Sequence, residues 1–158
     1  MIRPALRLLV LAAALAVLAG CGKRDPHAGH SHGKHAHAAP HGGTLIELGD
    51  HAYNLELVLD APAGKLTAYL LDGHAENFVR VKAPAFEVVA SGGAEKRVLL
   101  FRAVANPATG ETVGNTSQFE AQADWLKTQA SFDATLTALE IRGTNFTSFP
   151  FNFPKGAK

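Results

Sequence analysis

The hydrophobic and polar positions from residue 43 onward alternate with a period of two, which is typical of β-strands. A short β-prone run covers residues 44–48. From residue 53 to residue 59 the alternation predicts four side chains on one face, which are Tyr53, Leu55, Leu57 and Leu59. Turn-forming residues at 60–64 separate this run from a second one at 65–71, so the two runs predict a hairpin.

Further strands are expected over residues 78–82, 85–90, 96–104, 134–141 and 146–153, the last two as a C-terminal hairpin. Residues 117–130 combine a strand-like start with Trp125-Leu126, which suits a short helical turn. About seven or eight short strands without a long helical pattern predict an all-β fold. We expect an antiparallel immunoglobulin-like β-sandwich over residues 43–158, with a small barrel as the alternative.

Residues 21–42 have a different texture, rich in Gly, Ala, Pro and His and without an apolar period. Such a segment cannot bury enough apolar surface to offset the entropy of ordering it. The sequence therefore predicts a disordered His-rich linker before the sandwich.

The first twenty residues have the organisation of a cleaved signal peptide. Arg3 and Arg7 precede an uncharged apolar stretch from Leu8 to Leu18. That stretch is shorter than the roughly 18 residues that a membrane-spanning helix needs. One interpretation is an ordinary cleaved signal with an incidental cysteine at position 21. The residues around that cysteine favour a second interpretation.

The four residues Leu18-Ala19-Gly20-Cys21 resemble the lipobox of bacterial lipoproteins. The resemblance implies cleavage before Cys21, acyl chains on its sulfur, and a membrane anchor in the bacterial cell envelope. Two or three acyl chains hold a protein on a membrane almost permanently. Gly22 stands where an Asp signals inner-membrane retention, which favours the outer membrane, facing the periplasm, in a Gram-negative cell.

Composition limits the chemistry of the mature chain. Removing Arg3 and Arg7 from the 15 basic residues leaves 13, against 14 acidic residues, so neither nucleic acid nor an anionic lipid surface is an expected partner. The only Met is Met1 and the only Cys is Cys21. Metal ligands other than sulfur are therefore expected.

Six of the eight histidines fall between residues 27 and 41 and form the candidate metal ligands: His27, His30, His32, His35, His37 and His41. Neutral imidazole is a common ligand for Cu²⁺, Zn²⁺ and Ni²⁺. His30 with His32 and His35 with His37 place rings on the same side of an extended chain, where both reach one ion. The alternative is that the tract is an inert polar spacer.

The other two histidines lie in the predicted domain. His74 belongs to a turn that also carries Asp72 and Glu76, so these three side chains are possible additional metal ligands. His51 stands before the strand at residue 53. A solvated turn for His74 and a plain surface position for His51 are the alternatives. His41 is also expected to be able to fold back on the domain and join either of them.

Three stretches carry a wider resemblance, residues 41–50, which begin His41-Gly42-Gly43, residues 53–60 and residues 69–76. They resemble uncharacterised His-rich bacterial envelope lipoproteins and segments associated with heavy-metal efflux adaptor proteins. The resemblance implies an envelope setting and a metal-related role, such as passing ions to an exporter. The chain lacks the coiled-coil and lipoyl-like parts of such an adaptor.

The motifs H-E-x-x-H and C-x-x-C are absent from the sequence. Gly29-His30-Ser31-His32-Gly33 fits G-x-S-x-G, but Ser31 lies in the predicted disordered tract, which cannot preorganise a nucleophile, so no enzymatic activity is expected. The expected function is a membrane-anchored lipoprotein that binds copper, zinc or nickel through its histidine tract, for buffering or for transfer to a metal efflux system. The alternative is a non-enzymatic protein-interaction module whose histidine tract is only a spacer.

Overall fold

In the computed structural model, which describes residues 37–92 and 95–157, the period-two pattern corresponds to nine β-strands. A 3-10 helix, Asp124–Lys127, follows the sixth strand. Within the described ranges there is no helix with the length and apolar character required to cross a membrane. The strands are β1 (Thr44–Leu48), β2 (Tyr53–Asp60), β3 (Lys65–Asp72), β4 (Ala85–Gly92), β5 (Glu95–Ala103), β6 (Gln118–Gln122), β7 (Phe132–Ile141), β8 (Thr144–Phe153) and β9 (Gly156–Ala157).

All nine strands belong to one antiparallel sheet with the order β1-β2-β3-β6-β5-β4-β7-β8-β9. The sheet curls until its two ends meet, since β1 contacts β9 and the Thr44 hydroxyl donates to the carbonyl of Pro154 at 3.4 Å. The all-β prediction is confirmed. The architecture is sandwich-like and approaches a closed barrel, with nine strands rather than seven or eight.

Two hairpins follow from local sequence. Asp60 pairs with Lys65 across a turn in which Gly64 has a φ of 62°, and the register runs from there to Tyr53 opposite Asp72. The β7–β8 turn consists of Arg142 and Gly143, both with positive φ. Two-residue loops of this kind match the right-handed twist of the strands that they join.

The predicted strand over residues 78–82 is wrong. Its alternation is real, because Val79 and Val81 are buried while Phe78 is half exposed. The segment divides its hydrogen bonds between two partners: Val79 donates to Leu70, and Val81 donates to Thr116. A ladder requires consecutive pairing with one neighbour, and this segment forms only isolated bridges.

The core occupies the inner surface of the curled sheet and consists of Leu, Ile, Val, Ala and Phe side chains. Leu55 and Leu57 of β2 lie in it, and Tyr53 and Leu59 pack against it, as the alternation predicts. The outer face of β2 is buried as well, because Asn54 is 3% exposed and Glu56 is 0% exposed. Two polar side chains buried on the face opposite the core need partners, and these partners define the candidate site.

Candidate functional site

Residues 41–43, which we call the strap, lie over the outer face of β2 and cover Glu56. The backbone N–H groups of His41 and Gly43 donate to Oε1 of Glu56 at 2.8 and 3.0 Å. Nδ1 of His41 lies 2.9 Å from Oε2 of the same carboxylate. A buried carboxylate is tolerated when its oxygens are paired and hydrogen-bonded. The strap supplies these partners, so it is attached to the sheet at one side chain.

The two glycines of the strap have different roles. Gly42 has a φ of 70°, in the left-handed region, and a Cβ there would meet nothing within 4 Å. At Gly43 an added Cβ would lie 2.5 Å from the carbonyl oxygen of Leu57 and 2.8 Å from Cγ2 of Val58. Gly42 therefore permits the bend and Gly43 permits the close approach to β2.

The His41 ring stacks on Tyr69 with ring centroids 3.7 Å apart and planes 13° from parallel. Tyr69 lies on β3 directly opposite Glu56 on β2. Burial, and then the carboxylates of Glu120 and Glu56, raise the pKa of the Tyr69 hydroxyl above its ordinary value of 10.0, so the ring stays neutral at physiological pH. The stacked face and the carboxylate together orient the imidazole of His41.

His37, four residues before His41, lies beside two histidines of the domain. Its ring centroid lies 5.5 Å from that of His74 and 6.5 Å from that of His51, both with edge-to-face geometry. We call these three residues the histidine cluster. His41 folds back on the domain, but onto Glu56, and His37 is the histidine that lies beside His51 and His74.

The turns that carry His51 and His74 pack directly on each other. A Cβ at Gly73 would collide with the carbonyl oxygen of His51, so only glycine permits this approach. The buried side chain of Asn54 donates to the carbonyl oxygens of Asp72 and Gly73, both at 3.0 Å. These contacts hold the two turns together without involving the strap.

Asp72 and Glu76, the two carboxylates expected as additional ligands, have different surroundings. Asp72 accepts hydrogen bonds from the backbone of Glu76 at 2.9 Å and from the Asn77 side chain at 2.7 Å. The Asn77 hydrogen bond, followed by the backbone donors of the turn, lowers the pKa of Asp72 below its ordinary value of 3.8. Asp72 thus organises the turn that carries His74, and Glu76 lies exposed on that turn.

A second hydrogen-bonded carboxylate, Glu111, lines a cavity of about 250 Å³ beside His41 and Tyr69. Its Oε1 accepts from the N–H of Ser117 at 2.8 Å and from the hydroxyl at 2.6 Å. Burial by itself raises the pKa of Glu111, but the hydrogen bonds from Ser117 and Thr109 and the charge of Arg80 outweigh it and lower the pKa. These hydrogen bonds fix the loop before β6.

Among residues 37–92 and 95–157, no group of three or more His, Cys, Asp or Glu is arranged to hold a metal ion. The rings of the histidine cluster are therefore neighbours and not a preformed metal site. The other expected site residues lie outside the described residues: Cys21, His27, His30, His32 and His35. The expected signal peptide over residues 1–20 and most of the expected linker lie there too.

Sequence reasoning missed Glu56 and Tyr69, although the hairpin register contained part of the signal. With Asp60 opposite Lys65, the same register places Glu56 opposite Tyr69 and brings residue 51 level with residue 74. An acidic residue flanked by Leu55 and Leu57 on a central strand was a further sign of a buried polar partner.

No family model matches this chain, nor does any curated protein or any solved structure.

Proposed function

We propose that this chain is a membrane-anchored envelope lipoprotein that binds a divalent transition metal, Cu²⁺, Zn²⁺ or Ni²⁺, for buffering or for transfer to an exporter. The observation that carries the proposal is the position of His37 beside His51 and His74. This position joins the histidine tract, where the sequence concentrates imidazoles, to two imidazoles of the folded domain.

The ring separations are compatible with a shared ion. Two imidazoles bound tetrahedrally to one Zn²⁺ have centroids about 5 Å apart, because each Zn–N bond is about 2.0–2.1 Å. The His37–His74 separation of 5.5 Å is close to this value, and the His37–His51 separation of 6.5 Å requires a modest rotation. The His51 side chain is 54% exposed, so rotation meets little packing, although it gives up the 3.5 Å contact between Nδ1 and Oε1 of Glu47.

The available donor atoms favour these metals. Cys21 and Met1 are the only sulfur-containing residues in the chain, and lipidation and cleavage would remove both as ligands. Imidazole nitrogen suits Zn²⁺, Cu²⁺ and Ni²⁺, and affinity among them generally peaks at Cu²⁺. A fourth ligand is available from the tract itself, from Glu76 or from water.

Calorimetric titration with Zn²⁺ tests the metal site on the full chain purified in detergent. Changing His51 and His74 together to Ala should weaken the tightest binding step at least tenfold. Changing all six tract histidines to Ala should remove that step. Glu87→Gln, at an exposed position of β4 outside the candidate ligands, is the control and should change the affinity less than threefold. Equally weak binding by all variants would refute the proposal and favour an interaction module with a spacer.

The anchor is tested separately, by labelling cells with a palmitate analogue and determining the mass of the mature protein. The expected product begins at Cys21 and carries the label. Cys21→Ser should abolish both labelling and membrane association. An unlabelled mature chain with a free Cys21 would support an ordinary cleaved signal instead.

A further inference from the structure

We infer that Glu56 is a positioning residue that sets the metal affinity of the histidine cluster, by fixing the strap from which His37 extends. This inference rests on the proposed metal binding. It assigns the buried carboxylate a role in that site although Glu56 does not belong to the cluster.

The first step is the strength of the attachment. Glu56 has no exposed surface, and three donors of the strap converge on its two oxygens at 2.8, 2.9 and 3.0 Å. Hydrogen bonds to a charged acceptor are stronger than those between neutral groups. Breaking the attachment also returns the strap to a flexible chain and exposes the carboxylate to water. Residues 41–43 are therefore held at a defined place on β2.

The second step is the short path from this attachment to the cluster. His37 lies four residues before His41, and Gly42 donates to the carbonyl of Ala39 at 3.0 Å, which closes a tight turn over residues 39–42. Four residues span at most about 14 Å when fully extended. The attachment at Glu56 thus keeps the backbone of His37 within about 14 Å of His41, a range that includes its position beside His51 and His74.

The third step is that the remaining two ligands do not depend on the strap. Asn54 and Gly73 hold the His51 and His74 turns against each other from within the β2–β3 hairpin. Loss of the Glu56 contacts would consequently leave a two-histidine site intact and release only the third ligand. Tethered ligands bind with an effective concentration that falls when the tether is loosened.

Glu56→Gln keeps the size of the side chain and removes the charge and one acceptor oxygen. We expect it to weaken Zn²⁺ binding about tenfold without removing a cluster ligand. The effect should vanish when His37 is absent, because Glu56 acts through that residue.

The experiment is a double-mutant cycle with Glu56→Gln and His37→Ala, read by Zn²⁺ affinity on the full chain in detergent. All four proteins carry Ala at His27, His30, His32 and His35, so that only the cluster is titrated. Glu111→Gln is the matched control, since Glu111 is also buried and hydrogen-bonded to backbone, but its hydrogen bonds come from Ser117 and Thr109 and not from the strap. It should lower stability and leave the Zn²⁺ affinity unchanged.

The outcomes separate the two proposals. A Glu56→Gln effect that disappears in the His37→Ala background supports the inference. Equal effects in both backgrounds, or no effect in either, overturn it while leaving metal binding in place. Weak binding by the unsubstituted chain that is insensitive to His51→Ala and His74→Ala refutes the proposed function itself. If Glu56→Gln does not fold, Gly43→Ala displaces the strap through its contact with Leu57 and replaces it in the cycle.

Discussion

Nδ1 of His41 lies 2.9 Å from Oε2 of Glu56, a carboxylate with no exposed surface. These residues are separated by 15 positions in the chain. Their contact holds His41, the last histidine of the tract, against the outer face of β2. The backbone donors of His41 and Gly43 complete the arrangement. The attachment fixes the point at which the predicted linker meets the β domain.

Removal of the carboxylate should destabilise the fold. Glu56→Ala leaves two backbone donors and one imidazole without their acceptor and opens a cavity on β2. We expect the free energy of unfolding to fall by about 2–3 kcal/mol, measured by urea denaturation at pH 7. Glu87→Ala, at an exposed position of β4, is the control and should change stability by less than about 0.5 kcal/mol. Similar losses for the two variants would contradict this account of Glu56.

The two strap glycines should differ in sensitivity to alanine. Gly42→Ala puts a side chain in the left-handed region with open space around it, which costs about 1–2 kcal/mol. Gly43→Ala places a Cβ against backbone of β2, which cannot move without disturbing the strand, so a loss of about 3 kcal/mol is expected. Thermal and urea unfolding of both variants measure the order. A larger loss at Gly42 would show that conformation, and not close approach, limits the strap.

The Glu111 site should contribute an acid-sensitive component of stability. Its pKa in the folded protein is below the ordinary value of 4.5, because the Ser117 and Thr109 hydrogen bonds and Arg80 outweigh the effect of burial. A lowered folded pKa means that the contribution is complete above pH 4.5 and is lost as the pH falls through the folded pKa. Urea unfolding from pH 3 to pH 6 should therefore show a shallower acid slope for Ser117→Ala than for the parent. Parallel slopes would rule out this contribution.

Metal binding at the cluster should stabilise the domain, whereas binding to the tract alone should not. A ligand stabilises a fold only when it prefers the folded state, and at 100 times the dissociation constant the gain is about 2.7 kcal/mol. His37, His51 and His74 are brought together by folding, so an ion bound by all three favours the folded state. Zn²⁺ should raise the unfolding temperature of the parent, and EDTA should reverse the rise.

The His51→Ala, His74→Ala double variant is the control for the Zn²⁺ effect. It retains the six tract histidines, so it should still bind metal but show little thermal stabilisation. An undiminished rise in unfolding temperature would place the stabilising ion elsewhere.

The strands of the two long hairpins could be predicted because their information is local. The alternation in β2, the turn residues before Lys65 and the Arg142-Gly143 turn are each contained within about ten residues. The segment at residues 78–82 has the same alternation and is not a strand, because pairing depends on which neighbours are free. Its position between Leu70 and Thr116 is a property of the assembled sheet.

By itself the sequence determined the all-β class, the concentration of histidines before the domain, and a donor set in which Cys21 and Met1 are the only sulfur residues. Side-chain chemistry and the period-two pattern are local properties, so both can be predicted from the sequence. Only the tertiary structure decided that His41 contacts Glu56 and that His37 lies beside His51 and His74. These proximities arise when hairpin register, the Gly73 contact and the bend at Gly42 act together on residues far apart in the chain.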